Sequence, residues 1–168
     1  MNKKKKIIGF DPGLTTTGWG LIENFKNREF YITHGLIRSN EQKKLSIRLN
    51  LIYENVFQLV KKYSPDFIAV EKIFSNKNPS STLKLGKARA IIFLVAGMCG
   101  IEVFEYSPNT VKKNLVGYGH AEKQQMIEMI KRFFPDLKTI DHNAADALAV
   151  AICHSMHMQS KINFISPS

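Results

Sequence analysis

"IIGFDPGLTTTGWGLIE", Ile7 to Glu23, sets one carboxylate at the end of an apolar run and follows it with a Pro-Gly step and a tract of Thr and Gly. Ile7 to Phe10 has the β-branched and aromatic content of a strand, and Gly18 to Glu23 resumes it after the break, so the stretch reads as strand, turn, strand. Asp11 then has three readings. Asp-Pro-Gly is ordinary turn chemistry; the same residues form the lip of a phosphate-binding loop; or Asp11 is one ligand of a metal site.

The rest of the chain gives that strand its setting. Lys6 to Phe10, Gly18 to Glu23 and Phe30 to Ile37 are three strands, the last two separated by the polar turn region Asn24 to Glu29, which predicts an antiparallel meander. From Gln42 to Tyr63, Leu45, Leu49, Ile52, Val56, Leu59 and Val60 recur at steps of three and four, the pattern of an amphipathic helix that Ser64-Pro65 ends. Asp66 to Val70 has no polar alternation, as in a strand buried on both faces. A helix over Ser80 to Met98, a strand over Ile101 to Glu105, a short helix opened by Pro108, and helices over Glu122 to Phe134 and Asp141 to His157 complete the chain. The order βββ-α-β-α-β-α-α-α predicts one α/β domain over 1–168 with a mixed sheet, a basic tail at 1–5 and a C-terminal tail at 159–168.

Bulk composition bounds the partner. Residues of the hydrophobic class make up 44% of 168, enough for one globular core. Twenty-four Lys and Arg against 14 acids give a formal net charge of +10, which favours a polyanion and above all nucleic acid over a merely soluble basic surface. The lysines at 3–6 precede only four apolar residues, too few for a secretory signal. The longest apolar candidate, Ala88 to Cys99, is interrupted by Arg89 and Gly97 and is too short for a membrane span. Cys99 and Cys153 sit in apolar runs without metal or redox spacing, and read as reduced core residues of an intracellular, cytoplasmic protein.

Two further acids parallel Asp11. Glu71 ends the fourth strand, and strand ends are where side chains escape the packed layers of an α/β sheet. Asp146 lies in "DHNAADALAVAICH" (141–154), whose apolar positions turn it toward the sheet. Buried carboxylates are costly unless paired or metal-bound, and three together raise one another's pKa values unless cations neutralise them. Two divalent ions about 4 Å apart would do so and suit attack of water on a phosphodiester, with oxygen-only ligands favouring Mg²⁺, or Mn²⁺, over zinc. Each acid also has a plain alternative. Asp11 forms a turn, Glu71 pairs with Lys72 or Lys87, and Asn143 to Asp146 has the form of a helix capping box.

The stretches "GFDPGLTTTGWG" (9–20), "VEKIFSNKNPSSTLKLGKARA" (70–90), "YSPNTVKKNLVGYGHAEKQQM" (106–126) and "NAADALAVAICH" (143–154) together resemble the RuvC family of bacterial Holliday junction endonucleases, over about Ile7 to His157. The resemblance implies an RNase H-like fold with a five-stranded mixed sheet, a homodimer and a two-ion divalent-metal site that makes paired nicks in four-way junctions. It implies Asp11, Glu71 and Asp146 as acidic ligands. It places the fourth ligand, usually Asp or His, at Asn143, where the amide brings an oxygen but no charge. His142, four residues before Asp146 on nearly the same face, is a substitute ligand, and Asp141 reads as an N-cap.

The same resemblance gives Phe74 as an aromatic that stacks on a base at the junction centre. It gives Lys112 and Lys123 as lysines near the scissile phosphate, and ammonium charges suit that role. Lys84 and Lys87 share a helix face along the DNA path; Arg89 projects elsewhere, toward the dimer or the fold; Lys113, Lys131 and Lys138 read as solvated. Gly117-Tyr118-Gly119 before a helix offers backbone N–H groups to phosphate, and the glycines of 9–20 read as a tight hairpin that lets DNA backbone approach. His154 and His157 read as capping carbonyls or facing solvent. The RuvA–RuvB branch-migration complex is the partner the family implies. Three rivals stay open: a junction-binding protein impaired at Asn143, an RNA-hybrid hydrolase of the same fold, and an actin- or Hsp70-like ATPase fragment. The ATPase fragment lacks the second lobe it would need at this length.

Overall fold

A computed structural model of the chain describes residues 3–73 and 79–165. Its elements are β1 (Lys5–Asp11), β2 (Thr16–Phe25), β3 (Arg28–Arg38), α1 (Leu45–Tyr63), β4 (Phe67–Glu71), α2 (Pro79–Cys99), β5 (Glu102–Tyr106), α3 (Pro108–Val116), α4 (Lys123–Phe133) and α5 (His142–Ile165). The five strands form one sheet in the order β3-β2-β1-β4-β5. β1, β2 and β3 pair antiparallel, while β4 and β5 continue from β1 in parallel. This is the mixed sheet the pattern predicts, because short turns join the first three strands and helices intervene before β4 and β5.

Strand periodicity sorts the core into two layers. Ile8, Phe10, Leu21, Ile68 and Val70 pack with Ile52, Val56 and Val60 of α1 and with Ala88, Ile92 and Val95 of α2. Their neighbours Ile7, Ile22 and Ala69 face the other way, onto α3, α4 and α5 through Val111, Leu115, Met126, Ile130 and Leu148. Ile68, Ala69 and Val70 are fully buried, as a strand covered on both faces must be.

Several boundaries move for local reasons. α1 begins at Leu45 rather than Gln42, because the Asn40 side chain accepts the Gln42 N–H at 2.9 Å and holds residues 40–43 in a turn. Ser107 caps α3 by accepting the Thr110 N–H at 3.1 Å ahead of Pro108. Glu122 and Gln125 form a capping box at α4. α5 continues to Ile165, so 159–165 are helical. Among the described residues no helix is long and apolar enough to cross a membrane. Both cysteines are free, Cys153 buried and Cys99 half-buried.

Candidate active site

The period of two that sorts the core also aims the acids. Ile7, Gly9 and Asp11 share the α5 face of β1, and Ala69 and Glu71 share it on β4. The parallel register pairs Phe10 with Val70, which sets Asp11 and Glu71 at the same end of adjacent strands. α5 then crosses these strands at very short range. A Cβ on Gly9 would lie 1.9 Å from the Ala147 carbonyl oxygen, and one on Gly18 would lie 2.1 Å from that of Asn143. Gly18 is the ladder partner of Asp11. The helix therefore delivers Asn143 and Asp146 beside Asp11. The glycines of β1 and β2 admit a helix, not the DNA backbone that the sequence reading assigned to them. The turn itself is held by Thr17, whose buried hydroxyl donates to the Gly13 carbonyl at 2.7 Å.

The three carboxylates sense one another. Desolvation, then the charges of Asp146 and Glu71, push the Asp11 pKa up to about 7, against the opposing Lys123. Glu71 is likewise raised to about 7 by desolvation and Asp146, with Lys112 opposing. Asp146 is raised by desolvation, with Lys123, His142 and Lys112 opposing. Glu71 and Asp146 line a cavity of about 210 Å³ together with Lys112, Lys123, Pro108, Val111 and Met126. Lys112 comes from α3 and Lys123 opens α4, so two elements supply the cations. Pro108, Val111 and Lys112 follow i, i+3, i+4 on α3, a spacing through which the sequence already signals one shared face. The plain alternatives for two acids fail: among the described residues no ion pair joins Glu71 to Lys72 or Lys87, and Asn143 is helical rather than capping.

Asp141 is the residue before the helix, and its Oδ1 accepts the Asn143 N–H at 2.9 Å and the Asn143 side-chain Nδ2 at 3.1 Å. Those bonds, the backbone one foremost, hold the Asp141 carboxyl below the usual carboxylate range, against a smaller desolvation. Its charge in turn raises Asp11 and Asp146. The sequence signals only the cap, because the effect of the charge depends on where α5 lands. His142 is exposed, its Nδ1 3.9 Å from Asp141 Oδ1.

The donor chemistry fits a hard divalent cation: desolvated, mutually repelling carboxylate oxygens with a neutral amide beside them. Among the described residues no three His, Cys, Asp or Glu side chains stand together as a finished cage. The acids interact through charge across the site rather than through shared contact.

Lys84 and Lys87 are exposed on α2, and Phe74 falls outside the described residues. Arg89 is structural, paired with Glu105 and set over the Phe93 ring at 4.6 Å. His154 does not face solvent. It is buried, its Nδ1 2.7 Å from the Tyr106 hydroxyl and its ring stacked on Phe104. Gly117 ends α3 with φ 92°, a left-handed cap.

Comparison with known proteins accords with this geometry. The family model "Crossover junction endodeoxyribonuclease RuvC" matches residues 7–154. The chain is 45% identical to the protein of that name from Bartonella bacilliformis, over 94% of each chain. It is 44% identical to the one from Brucella anthropi, over 95% of this chain and 93% of that one. Among solved structures it is similar to Thermus thermophilus RuvC in complex with a Holliday junction substrate. The TM-score is 0.87 at 26% identity, covering 94% of this chain and 96% of that one. The five-stranded sheet and its helices are thus the RNase H-like fold of the resolvases. The chain belongs to the RuvC family of crossover junction endodeoxyribonucleases.

Proposed function

We propose that the protein resolves four-way DNA junctions by metal-dependent hydrolysis of one phosphodiester in each of two strands, during recombination and repair. The observation that carries this reading is the meeting of Asp11, Glu71 and Asp146, from three separate elements, beside Lys112 and Lys123 on a chain of net charge +10. Asp11, Glu71, Asp146 and the Asn143 amide oxygen would hold two Mg²⁺, or Mn²⁺. When bound, such ions neutralise the acids and stabilise the attacking and leaving oxygens of an in-line displacement.

The chain's own cations do the rest. Lys112 and Lys123 hold the scissile phosphate and offset the charge that develops on its oxygens. Pro108, Val111 and Met126 wall that cavity with apolar surface, which strengthens each charge interaction inside it. Lys84 and Lys87 extend the basic path, and Phe74 stacks on an unpaired base at the junction centre. Two symmetric nicks need two sites, and a homodimer supplies them. Leu83, Leu94 and Met98 on α2, 66%, 54% and 58% exposed, form the apolar surface for it. The RuvA–RuvB complex is the partner and the cytoplasm the place.

A second reading rests on Asn143, whose neutral side chain favours a protein that binds junctions and cuts them slowly. The test is nicking of an end-labelled four-way junction in Mg²⁺, with an RNA–DNA hybrid and ATP alongside. Paired nicks in the junction support the nuclease. Binding without nicks supports the second reading, and turnover of hybrid or ATP instead would overturn both.

A further inference from the structure

Asn143 stands where the family resemblance expects Asp or His, yet a carboxylate stands two residues before it. Asp141 Oδ1 accepts both the Asn143 backbone N–H, at 2.9 Å, and its side-chain Nδ2, at 3.1 Å. A planar amide whose nitrogen is engaged on one side presents its oxygen on the other. The Asn143 backbone is itself fixed, because its carbonyl presses on Gly18, the ladder partner of Asp11. Backbone and side chain are therefore both set within reach of the acidic cluster.

We propose that Asp141 is the positioning residue of this site: its carboxylate turns the Asn143 amide so that the oxygen is the atom offered to a divalent cation, and it supplies from one step outside the negative charge that Asn143 lacks. A plain helix cap would need only the bond to the backbone N–H. The second bond, to Nδ2, gives no capping and acts only on the side chain's orientation. The charge of Asp141 reaches Asp11 and Asp146, which accords with a carboxylate working on the site rather than on the helix alone. The inference rests on the metal-site reading above and adds to it the device by which a chain with three acids and an amide keeps the charge of four.

The test is Mn²⁺ binding to the full-length protein without DNA, read by the loss of the free-ion electron paramagnetic resonance signal. Asp141→Asn keeps the cap, since Asn caps as well as Asp, so its melting temperature in chelator should match wild type. Its Mn²⁺ affinity should fall about tenfold, the low end for loss of an outer partner. The exchange Asp141→Asn with Asn143→Asp, which reverses the pair but keeps its charge and hydrogen bond, should return affinity to within about threefold of wild type. Wild-type affinity in Asp141→Asn, or no recovery in the exchanged pair, overturns the proposal. Asp11→Asn separates the two levels. If it abolishes Mn²⁺ binding while Asp141→Asn does nothing, only the role of Asp141 falls; if wild type binds no Mn²⁺, or Asp11→Asn binds it as well as wild type, the metal site falls and this inference with it.

Discussion

Removing the charge of Asp11 should make the metal-free protein more stable while destroying its site. A carboxyl whose pKa rises from 3.8 to about 7 on folding costs the folded state about 4 kcal/mol when ionised, at about 1.4 kcal/mol per pH unit. Water entry and local relaxation reduce that figure, and the amide of Asp11→Asn needs partners of its own, so about 1–3 kcal/mol should be recovered. For a chain of this length that is a rise in melting temperature of about 3–8 °C. The sign follows from linkage. The native state holds its protons to higher pH than the unfolded chain, so the favourable contribution is complete below about 3.8 and is lost as pH rises to about 7. The assay is thermal unfolding in chelator at pH 5 and pH 8. Wild type should be less stable at pH 8 by an amount that shrinks in Asp11→Asn, and Mg²⁺ at pH 8 should raise the melting point of wild type but not of the variant. An Asp11→Asn protein that melts at or below wild type at pH 8 would refute the reasoning, as it would mean the acids neither repel nor suffer desolvation.

Other perturbations reach different links. Gly9→Ala puts a methyl group 1.9 Å from the Ala147 carbonyl oxygen, so α5 must lift from the sheet; a loss of about 3 kcal/mol is expected by urea unfolding, and wild-type stability would show the close approach to be wrong. Asp66 accepts Lys5 Nζ at 2.8 Å and the Lys6 N–H at 2.9 Å. Desolvation works against these bonds, but they and the charges of Lys5 and Lys3 outweigh it and hold the carboxyl below its ordinary value. Its contribution is therefore present above about 3.8 and lost as pH falls below it. Asp66→Asn should flatten that acid limb in urea titrations between pH 5 and 2, and an unchanged slope would count against the pairing. Phe74→Ala should leave the melting temperature alone and slow junction cleavage by about fivefold or more, from a stacking loss of about 1–3 kcal/mol; undiminished cutting removes Phe74 from the reading. Asn143→Asp should increase cleavage in Mg²⁺, and no gain in an already active enzyme would mean that the fourth ligand lies elsewhere.

The layers of the fold are legible in the sequence because local patterns dictate them. The β-branched and aromatic content of β1, the unbroken apolar run of β4 and the three- and four-residue steps of α1 each predict an element that the structure contains. Grouping of Asp11 and Glu71 is legible too, since each ends a strand and strand ends are where side chains escape the packed layers. What the sequence conceals is long-range. Gly18 reads only as the start of a strand in a tight hairpin until Asn143 is found against it, and Asp141 reads as a cap until its charge is found to act on Asp11 and Asp146. His154 reads as a helix-end histidine because nothing nearby in sequence signals Phe104 and Tyr106, which bury it. Side-chain roles set by one element landing on another carry no local signature.

If the proposed function holds, one acidic site, built by β1, β4 and α5, cuts the DNA. Nicking of a labelled four-way junction in Mg²⁺ tests it most directly, with wild type, Asp11→Asn and Asp146→Asn compared at protein concentrations that saturate junction binding. Wild type should make paired, symmetric nicks, and both variants should lose cutting while still binding the junction. Cutting that survives either substitution would contradict it.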